Sequence, residues 1–383
     1  MKRRNLCTAI LALALSAALL LGAPSCVLAA ATTSVSAETL ESGRQLTLTG
    51  MCYNGKYSPI KELNGETLSI STVQNFAFTP DGKYVFTTGE CRTGTTKHTL
   101  LSRCAMPETP GHDAEAPFLQ GHVLENYGHG ECIAITQPDP WEETYDIWVA
   151  TTVTDGKFGT EIARMTYVVR EGVGVIVKNV RITNFKKANV VNRKAAFFKK
   201  EPTPRRLNVA IDEAANRIMF RVQFPAGQGV NYVCYDYRKI NNALNALADG
   251  STFDIAKAAA WQKANVRTSN VPFGSFQSFA IDGNTLYVCG GNTQKGAQIY
   301  AMKFKVYANG RAVQQNLMKA ADISRIIDIE PGIIVEGREL GRSDLEIEGM
   351  KLRKNGGRLD FFVNFFMKGT SIRNHIGIYR FTA

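Results

Sequence analysis

Polar side chains that could perform chemistry recur at one position of a repeated strand pattern. The pattern is a polar residue, one further residue, and then two apolar residues separated by a single position. Two glutamates at this position could serve as the acid and base of a glycoside hydrolase, whose carboxyl groups lie about 5 to 10 Å apart. The same groups could instead hydrogen-bond one another around water, or hold a ligand or an ion. The five copies of the pattern begin at Gln74, Glu131, Leu207, Gln277 and Glu348.

Each copy opens a unit of short strands. The stretch 275–304 predicts strands over Phe276–Ile281, Thr285–Cys289 and Gln298–Phe304, joined by an Asp-Gly-Asn turn and a turn rich in Gly and Asn. Period-two alternation bounded by such turns is typical of antiparallel strands. Because the same three-strand order appears in all five units, the sequence predicts an all-β fold.

Five units at intervals of roughly 55 to 80 residues favour a five-bladed β-propeller over a β-sandwich with incidental likeness between hairpins. In a propeller the first strand of each blade lines the central channel, so the repeated polar position falls at one end of it. Leu207 breaks the pattern, and neighbouring Arg206 could contribute instead. His129 stands at the entrance to a first strand and should face the same end. The predicted binding residues at this channel mouth are Gln74, His129, Glu131, Gln277 and Glu348.

The units are separated by more residues than a bare blade needs. Residues 186–206 and 239–266 are therefore predicted to be insertions or long loops. The spacing of Ile240, Leu244 and Leu247 in the second one predicts a short amphipathic helix. Before the first unit, either "RQLTLTG" or "ETLSIS" is expected to add an outer strand to the last blade and so close the ring.

The N-terminus has the anatomy of a secretory signal peptide. Lys2, Arg3 and Arg4 precede an almost wholly apolar run, and "VSA" offers a cleavage site before Glu38. An uncleaved anchor is the alternative reading, and Ala-Pro-Ser-Cys at Cys26 matches a lipobox poorly. We therefore expect a signal peptide over 1–37, a single propeller domain over 38–383, and a bacterial protein that is secreted. Cleavage would lower the formal net charge from +11 to +8.

Six cysteines remain after cleavage, an even number that suits an oxidising compartment. Cys91 and Cys104 flank a predicted hairpin and are the expected disulfide pair. The cysteines could also be small buried apolar residues. No Cys-x-x-Cys arrangement supports a zinc or thioredoxin-like site.

Metal binding and nucleophilic catalysis lack a matching motif. Gly-His dipeptides occur at His112, His122 and His129, but their spacing fits no compact set of metal ligands. We therefore predict no metal, no cofactor and no catalytic residue, and we favour a binding protein over an enzyme.

A basic segment with interleaved aromatic residues precedes the third unit. Phe185, Phe197 and Phe198 alternate there with basic side chains, which suits a polyanion or a membrane surface. A solvated loop is the alternative, and export argues against nucleic acid as a partner. The basic residues are Lys186, Lys187, Arg193, Lys194, Lys199, Lys200, Arg205 and Arg206.

Three stretches of the chain carry a family resemblance: "GHGECIAI…YDIWVATT", "SFQSFAIDGNTLYVCGG" and "LEIEGMKL…LDFFVNFF". They resemble five-bladed propellers of the phage receptor-binding and teichoic-acid-associated type, and the related helveticin-like class III bacteriocins. The likeness covers about residues 70–383 at the level of pattern. Its cysteines and basic insertions depart from the family. The matching positions are Gly128, His129, Gly130, Glu131, Glu348 and Gly349.

The resemblance implies an extracellular recognition protein. We expect a monomer that binds an anionic cell-wall polymer or a glycan, such as teichoic acid. A bacteriocin acting on competing bacteria and a propeller glycosidase are the two alternatives.

Overall fold

A computed structural model of the chain describes residues 49–53, 62–111, 114–154, 157–191, 194–195, 203–225, 229–268, 275–291, 297–307, 315–317, 323–329, 334–335, 338–339, 344–367 and 376–382. The predicted signal peptide and His112 lie outside the described residues. Among those residues, no helix combines the length and apolar character needed to cross a membrane.

Five sheets, each with four antiparallel strands, form the blades of a β-propeller, which confirms the predicted fold. The first described strand, β1 (Thr49–Tyr53), belongs to blade V. Blade I contains β2 (Glu62–Leu63), β3 (Glu66–Phe78), β4 (Tyr84–Thr93), β5 (Thr96–Ala105) and β6 (Phe118–Glu125), with the short β2 as its extra edge strand. Blade II contains β7 (Ile133–Asp139), β8 (Thr144–Val153), β9 (Gly159–Arg170) and β10 (Val173–Thr183).

Blades III to V repeat the same order from the channel outward. Blade III contains β13 (Arg206–Asp212), β14 (Arg217–Gln223), β15 (Val230–Asp236) and β17 (Gln262–Thr268). Blade IV contains β18 (Phe276–Asp282), β19 (Thr285–Gly290), β20 (Ala297–Lys303) and β22 (Ile323–Ile329), whose first three strands agree with the sequence prediction to within one residue at either end. Blade V contains β25 (Leu345–Asn355), β26 (Arg358–Met367) and β27 (Ile376–Thr382).

Short elements decorate the ring. The strands β16 (Thr252–Asp254) and β21 (Gln315–Leu317) add in parallel to blades II and III. Two-residue strands form the hairpins β11 (Val190–Val191) with β12 (Lys194–Ala195), and β23 (Ile334–Val335) with β24 (Arg338–Glu339).

The predicted helix is present as α1 (Tyr237–Asn245), which buries Ile240 and Leu244. Short 3-10 helices cover Phe185–Asn189 and Ile255–Trp261. The end of the predicted insertion 239–266 is not a loop. It forms β17, the outermost antiparallel strand of blade III.

The ring closes in blade V, where the first described strand pairs with the last. In this antiparallel pair Thr49 lies opposite Arg380, and Tyr53 lies opposite Ile376. The closing strand therefore overlaps the end of "RQLTLTG", one of the two predicted candidates. The other candidate, "ETLSIS", forms the first part of β3 instead.

The apolar core is divided among the five junctions between neighbouring blades. On the inner strand of blade I, Phe76 packs toward blade V, whereas Ala77 packs toward blade II. The inner strands of blades II to IV follow the same rule, with a large residue facing the preceding blade and an alanine facing the next. Alternating large and small side chains let the sheets converge on the axis.

The predicted disulfide between Cys91 and Cys104 is wrong. Cys91 lies opposite His98, and Cys104 lies opposite Val85, on the paired strands β4 and β5. These rungs are six positions apart, which is about 20 Å along a strand. A disulfide needs Cα atoms within about 7 Å. Both side chains are buried and pack as small apolar groups.

Candidate functional site

Three blades carry a β-bulge at the repeated polar position. Strand pairing skips Gln74 in blade I, Gln277 in blade IV and Glu348 in blade V. A bulge bends its strand and changes the direction of the side chain it carries. Each of these polar groups therefore sits where its inner strand departs from regular alternation, at the same end of the channel.

In blade II the equivalent residue, Glu131, follows a tight loop just before β7. Gly128 and Gly130, on either side of His129, have positive φ angles of 77° and 82°. A Cβ atom on Gly130 would lie 3.1 Å from backbone atoms of Gly89 in blade I. Glycine therefore lets this loop lie directly against the neighbouring blade, which carries His129 and Glu131 to the channel mouth.

The inner strand of blade III pairs with its neighbour without a bulge, and its leucine does not reach the mouth. Leu207 is buried in the core between blades II and III. Its neighbour Arg206 takes the position instead and forms an ion pair with Glu131, with 2.5 Å between Nη2 and Oε2. The guanidinium also lies over the rings of Phe158 and Phe276, 4.7 and 4.9 Å from their centroids. The ion pair and the two ring contacts make Arg206 part of the channel mouth rather than of a solvated basic surface.

His129 connects the carboxylates of two blades. Its Nδ1 contacts Oε2 of Glu90, and its Nε2 lies 3.9 Å from Oε1 of Glu131. Burial lowers the pKa of His129 in spite of both carboxylates. Burial alone would raise the pKa of Glu90, but hydrogen bonds from Lys97, His129 and Arg92 outweigh it and lower that pKa to about 2. Glu90 is thus a fixed negative charge beside a histidine that favours its neutral form.

Blades IV and V contribute an amide and two more carboxyl groups. Gln277 donates a hydrogen bond from Nε2 to Oε1 of Glu346, at 2.9 Å. Burial, followed by the charges of Glu346 and Glu131, raises the pKa of Glu348 well above its ordinary value, although Arg206 opposes the shift. The mouth therefore combines Glu90, whose pKa is lowered, with Glu348, whose pKa is raised.

A polar plug, made of Asn75, Asn208 and Ser278 against Gly349, lies across the channel beneath the mouth. The Nδ2 atoms of Asn75 and Asn208 donate to the carbonyl oxygen of Glu131, at 2.7 and 3.3 Å. Asn75 also reaches Oγ of Ser278 in blade IV, at 3.4 Å. A Cβ atom on Gly349 would lie 2.5 Å from Oδ1 of Asn364 and 2.6 Å from Oδ1 of Asn75, so only glycine leaves room for this crossing.

The structure thus brings His129, Glu131, Gln277 and Glu348 into one neighbourhood, linked by Arg206. Gln74 is buried at the equivalent position of blade I. Sequence reasoning missed Glu90, which comes from a second strand, and Glu346, two residues before Glu348. It missed them because the repeat marks only the inner-strand position.

The remaining residues that the sequence marked as candidates are His122 and the other members of the basic segment. His122 is on β6, the outer strand of blade I, with Nε2 3.3 Å from the hydroxyl of Tyr167. Phe185 is buried against Phe220 rather than exposed in the basic segment. Lys186 and Arg205 are exposed, and Lys187 is half-buried. Arg193, Lys199, Lys200 and the Lys194 side chain lie outside the described part of the chain.

Metal ligands do not gather in this part of the molecule. Within the described ranges, no three His, Cys, Asp or Glu side chains are arranged to hold a metal ion.

No family model and no curated protein matches the chain. Among solved structures, it is similar to the GH43 β-1,3-galactosidase with galactodeoxynojirimycin, at 8% identity and a TM-score of 0.37, over 80% of this chain and 94% of that one. A mannose phosphorylase from Leishmania mexicana gives 10% identity and a TM-score of 0.37, over 90% and 91%. Trypanosoma rangeli sialidase with sialic acid gives 9% and 0.36, over 87% and 57%. Likeness at this level carries no functional argument.

Proposed function

We propose that the protein is a glycan-binding propeller whose ligand site is the channel mouth. The observation that supports this is the convergence of polar groups from different blades: the Glu131–Arg206 ion pair, the Gln277–Glu346 hydrogen bond and His129. Together they offer both donors and acceptors at fixed positions. Sugar hydroxyls donate and accept at once, so they suit such a mixed set.

The charge of the mouth favours a neutral sugar there. The ionised carboxylates Glu90 and Glu131 are already paired with Lys97, Arg92 and Arg206, and Glu348 favours its protonated form. An anionic ligand would have to compete with these carboxylates for their cations. If the ligand is an anionic wall polymer such as teichoic acid, we propose that the basic segment with Lys186 and Arg205 contacts its phosphates.

Binding to a set of purified glycans and bacterial cell walls tests the proposal. Glu131→Gln and Gln277→Ala should each weaken binding by about tenfold or more, because each breaks a charge-assisted or buried hydrogen bond. Glu66→Gln, an exposed carboxylate on the outer part of β3, is the matched control and should bind as the wild type does. Equal binding by all three variants would remove the mouth as the ligand site.

A salt series on walls with and without teichoic acid separates the two surfaces. Binding through the mouth to a neutral glycan should persist at high salt, whereas contact between the basic segment and phosphates should fade. Binding that depends on teichoic acid but is unchanged in Glu131→Gln would move the site to the basic segment.

Hydrolysis of a glycoside is the second candidate function. One observation favours it: Glu348 favours its protonated form, as a general acid does, while Glu131 is ion-paired as a carboxylate. A third carboxyl group at the mouth, Glu90, comes from blade I, where the inner strand has only Gln74. The test is the turnover of aryl glycosides by the wild type and by Glu348→Gln and Glu131→Gln. Loss of turnover in both variants, with the unfolding temperature unchanged, would establish an enzyme.

We also propose that the protein is exported, with a bacteriocin as the alternative to a recognition protein. We propose that cleavage before Glu38 releases the mature protein, and N-terminal sequencing of secreted protein tests this directly. Spotting the mature protein on lawns of related bacteria tests the bacteriocin alternative. Clearing of the lawn would favour a toxin over a recognition protein.

A further inference from the structure

A separate cavity lies on the other side of the plug. It has a volume of about 210 Å³ and is lined by all five inner strands. Most of its lining residues are apolar, and they lie at the third to seventh residues of the repeated pattern. The lining includes Ala77, Ala134, Ala210, Ala280, Lys351 and Leu352.

Lys351 breaks the symmetry of this cavity. The fourth residue of the pattern is alanine in blades I to IV, but it is lysine in blade V. Four blades supply only a methyl group at this position, whereas blade V supplies the longer side chain of Lys351, which lines the cavity. A ring of alanines would suffice to pack the blades, so the lysine is not explained by packing.

The ammonium of Lys351 has no partner to offset its charge. Within the described part of the chain it makes no hydrogen bond or ion pair. The groups that interact with it electrostatically are the thiols of Cys132 and Cys289, and burial raises the pKa of each thiol to about 12, so both stay neutral. Burial lowers the pKa of Lys351 to about 8. Lys351 is half-buried, and a partly desolvated cation without a counter-charge is costly, which is a reason for an anion to bind there.

The charged groups around this end of the channel already have partners. Asp81 accepts hydrogen bonds from Thr79 and Tyr145, both at 2.6 Å. Asp212 accepts from two backbone N–H groups, and Asp282 is paired with Lys354 at 2.6 Å. Arg353 lines the cavity two residues after Lys351 and adds a second positive charge. The local balance therefore favours a negative ligand.

We propose that this cavity is a second binding site, for a small carboxylate with a compact apolar body that pairs with Lys351. The alanine and isoleucine walls take the apolar part, and the ammonium takes the carboxylate as a charge-assisted hydrogen bond. An apolar cavity of about 150 Å³ holds benzene, so this one has room for a ring with a carboxylate. The site is independent of the glycan proposal, because the plug lies between them.

Benzoate is a suitable probe, and benzyl alcohol is its neutral counterpart. Benzoate should raise the unfolding temperature of the wild-type protein and bind in calorimetry. In Lys351→Met, which keeps the length of the side chain, benzoate affinity should fall about 10- to 100-fold, the worth of one charge-assisted hydrogen bond. Binding of benzyl alcohol should not fall.

Lys303→Met, an exposed lysine of blade IV, is the matched control and should bind benzoate as the wild type does. Absence of benzoate binding to the wild type would overturn the proposal. Equal binding by wild type and Lys351→Met would also overturn it, since the apolar walls would then suffice.

Reductive methylation with formaldehyde and cyanoborohydride measures the accessibility of the Lys351 amine, independently of any binding assay. Peptide mass spectrometry should show that benzoate protects Lys351 but leaves Lys303 equally reactive. Unprotected Lys351 in the presence of bound benzoate would place the ligand elsewhere.

Discussion

Glu348 is a carboxyl group held where its charge is disfavoured. It is buried at a bulge of the inner strand of blade V, and Glu346 and Glu131 are its acidic neighbours. Arg206, which could neutralise it, is already paired with Glu131. At the scale of one residue, the mouth therefore holds a carboxyl group whose pKa is raised by burial and by its acidic neighbours, at a cost in stability.

Replacing this carboxyl group should change how stability depends on pH. The folded-state pKa of Glu348 lies above its unfolded value, so the folded protein holds the proton more tightly and loses stability as pH rises between the two values. Glu348→Gln should therefore gain stability over the wild type as pH increases from 4 to 8, by about 1.4 kcal/mol for each unit of pKa shift. Urea unfolding at several pH values measures this. Glu66→Gln should stay parallel to the wild type, and a parallel Glu348→Gln curve would contradict the burial of an acid here.

Lys351 should show the opposite dependence. Its folded-state pKa of about 8 lies below the ordinary value of 10.5, so the wild type should gain stability as pH rises between these values. Without ligand at pH 7, Lys351→Met should be more stable than the wild type by roughly 1–2 kcal/mol, because a half-buried charge without a counter-charge is removed. Denaturant unfolding of both proteins, with Lys303→Met as the reference, checks this. A less stable Lys351→Met would mean that the ammonium has an internal partner.

At the scale of elements, the inner strands and their bulges decide what reaches the axis. Asn75 and Gly349 come from adjacent blades, yet the plug requires one to be long and the other to have no side chain. Gly349→Ala should destabilise the protein by about 1–3 kcal/mol through overpacking. In an Asn75→Ala background the cost should shrink in part, because one of the two atoms that a new Cβ would meet is gone, while Oδ1 of Asn364 remains.

A double-mutant cycle measured by thermal or urea unfolding tests this coupling. Gly111→Ala is the control, since nothing lies within 4 Å of a Cβ at that position. Additive effects of Gly349→Ala and Asn75→Ala would show that the two residues do not share the space.

The sequence predicted the inner strands well, because they repeat. Gln74, Glu131, Gln277 and Glu348 could be placed at one end of the channel from their shared position alone. The β-bulges could not be predicted, since they depend on a mismatch between paired strands. Glu90 was missed for a related reason: it comes from a second strand, and it reaches the mouth only because two glycines let a loop from blade II lie against it.

At the scale of the whole molecule, the ring depends on a pair formed by strands from opposite ends of the chain. Without β1, blade V would end in β27 with an unpaired edge. A chain beginning at residue 54 should therefore unfold at a temperature several degrees lower, or aggregate, compared with one beginning at residue 38. Calorimetry and size-exclusion chromatography of both chains measure this. Matching transitions would show that the five blade junctions hold the ring without β1.

The direction of that same pair determines how the molecule would respond to a pulling force. Because β1 and β27 are antiparallel, with Thr49 opposite Arg380, the chain enters β1 and leaves β27 at the same end of the pair. Tension between the two chain ends would then load the hydrogen bonds one after another, as in a zipper, rather than all together in shear. If the protein were tethered at one end and pulled at the other, blade V would open first, and the ring would begin to unfold at low force.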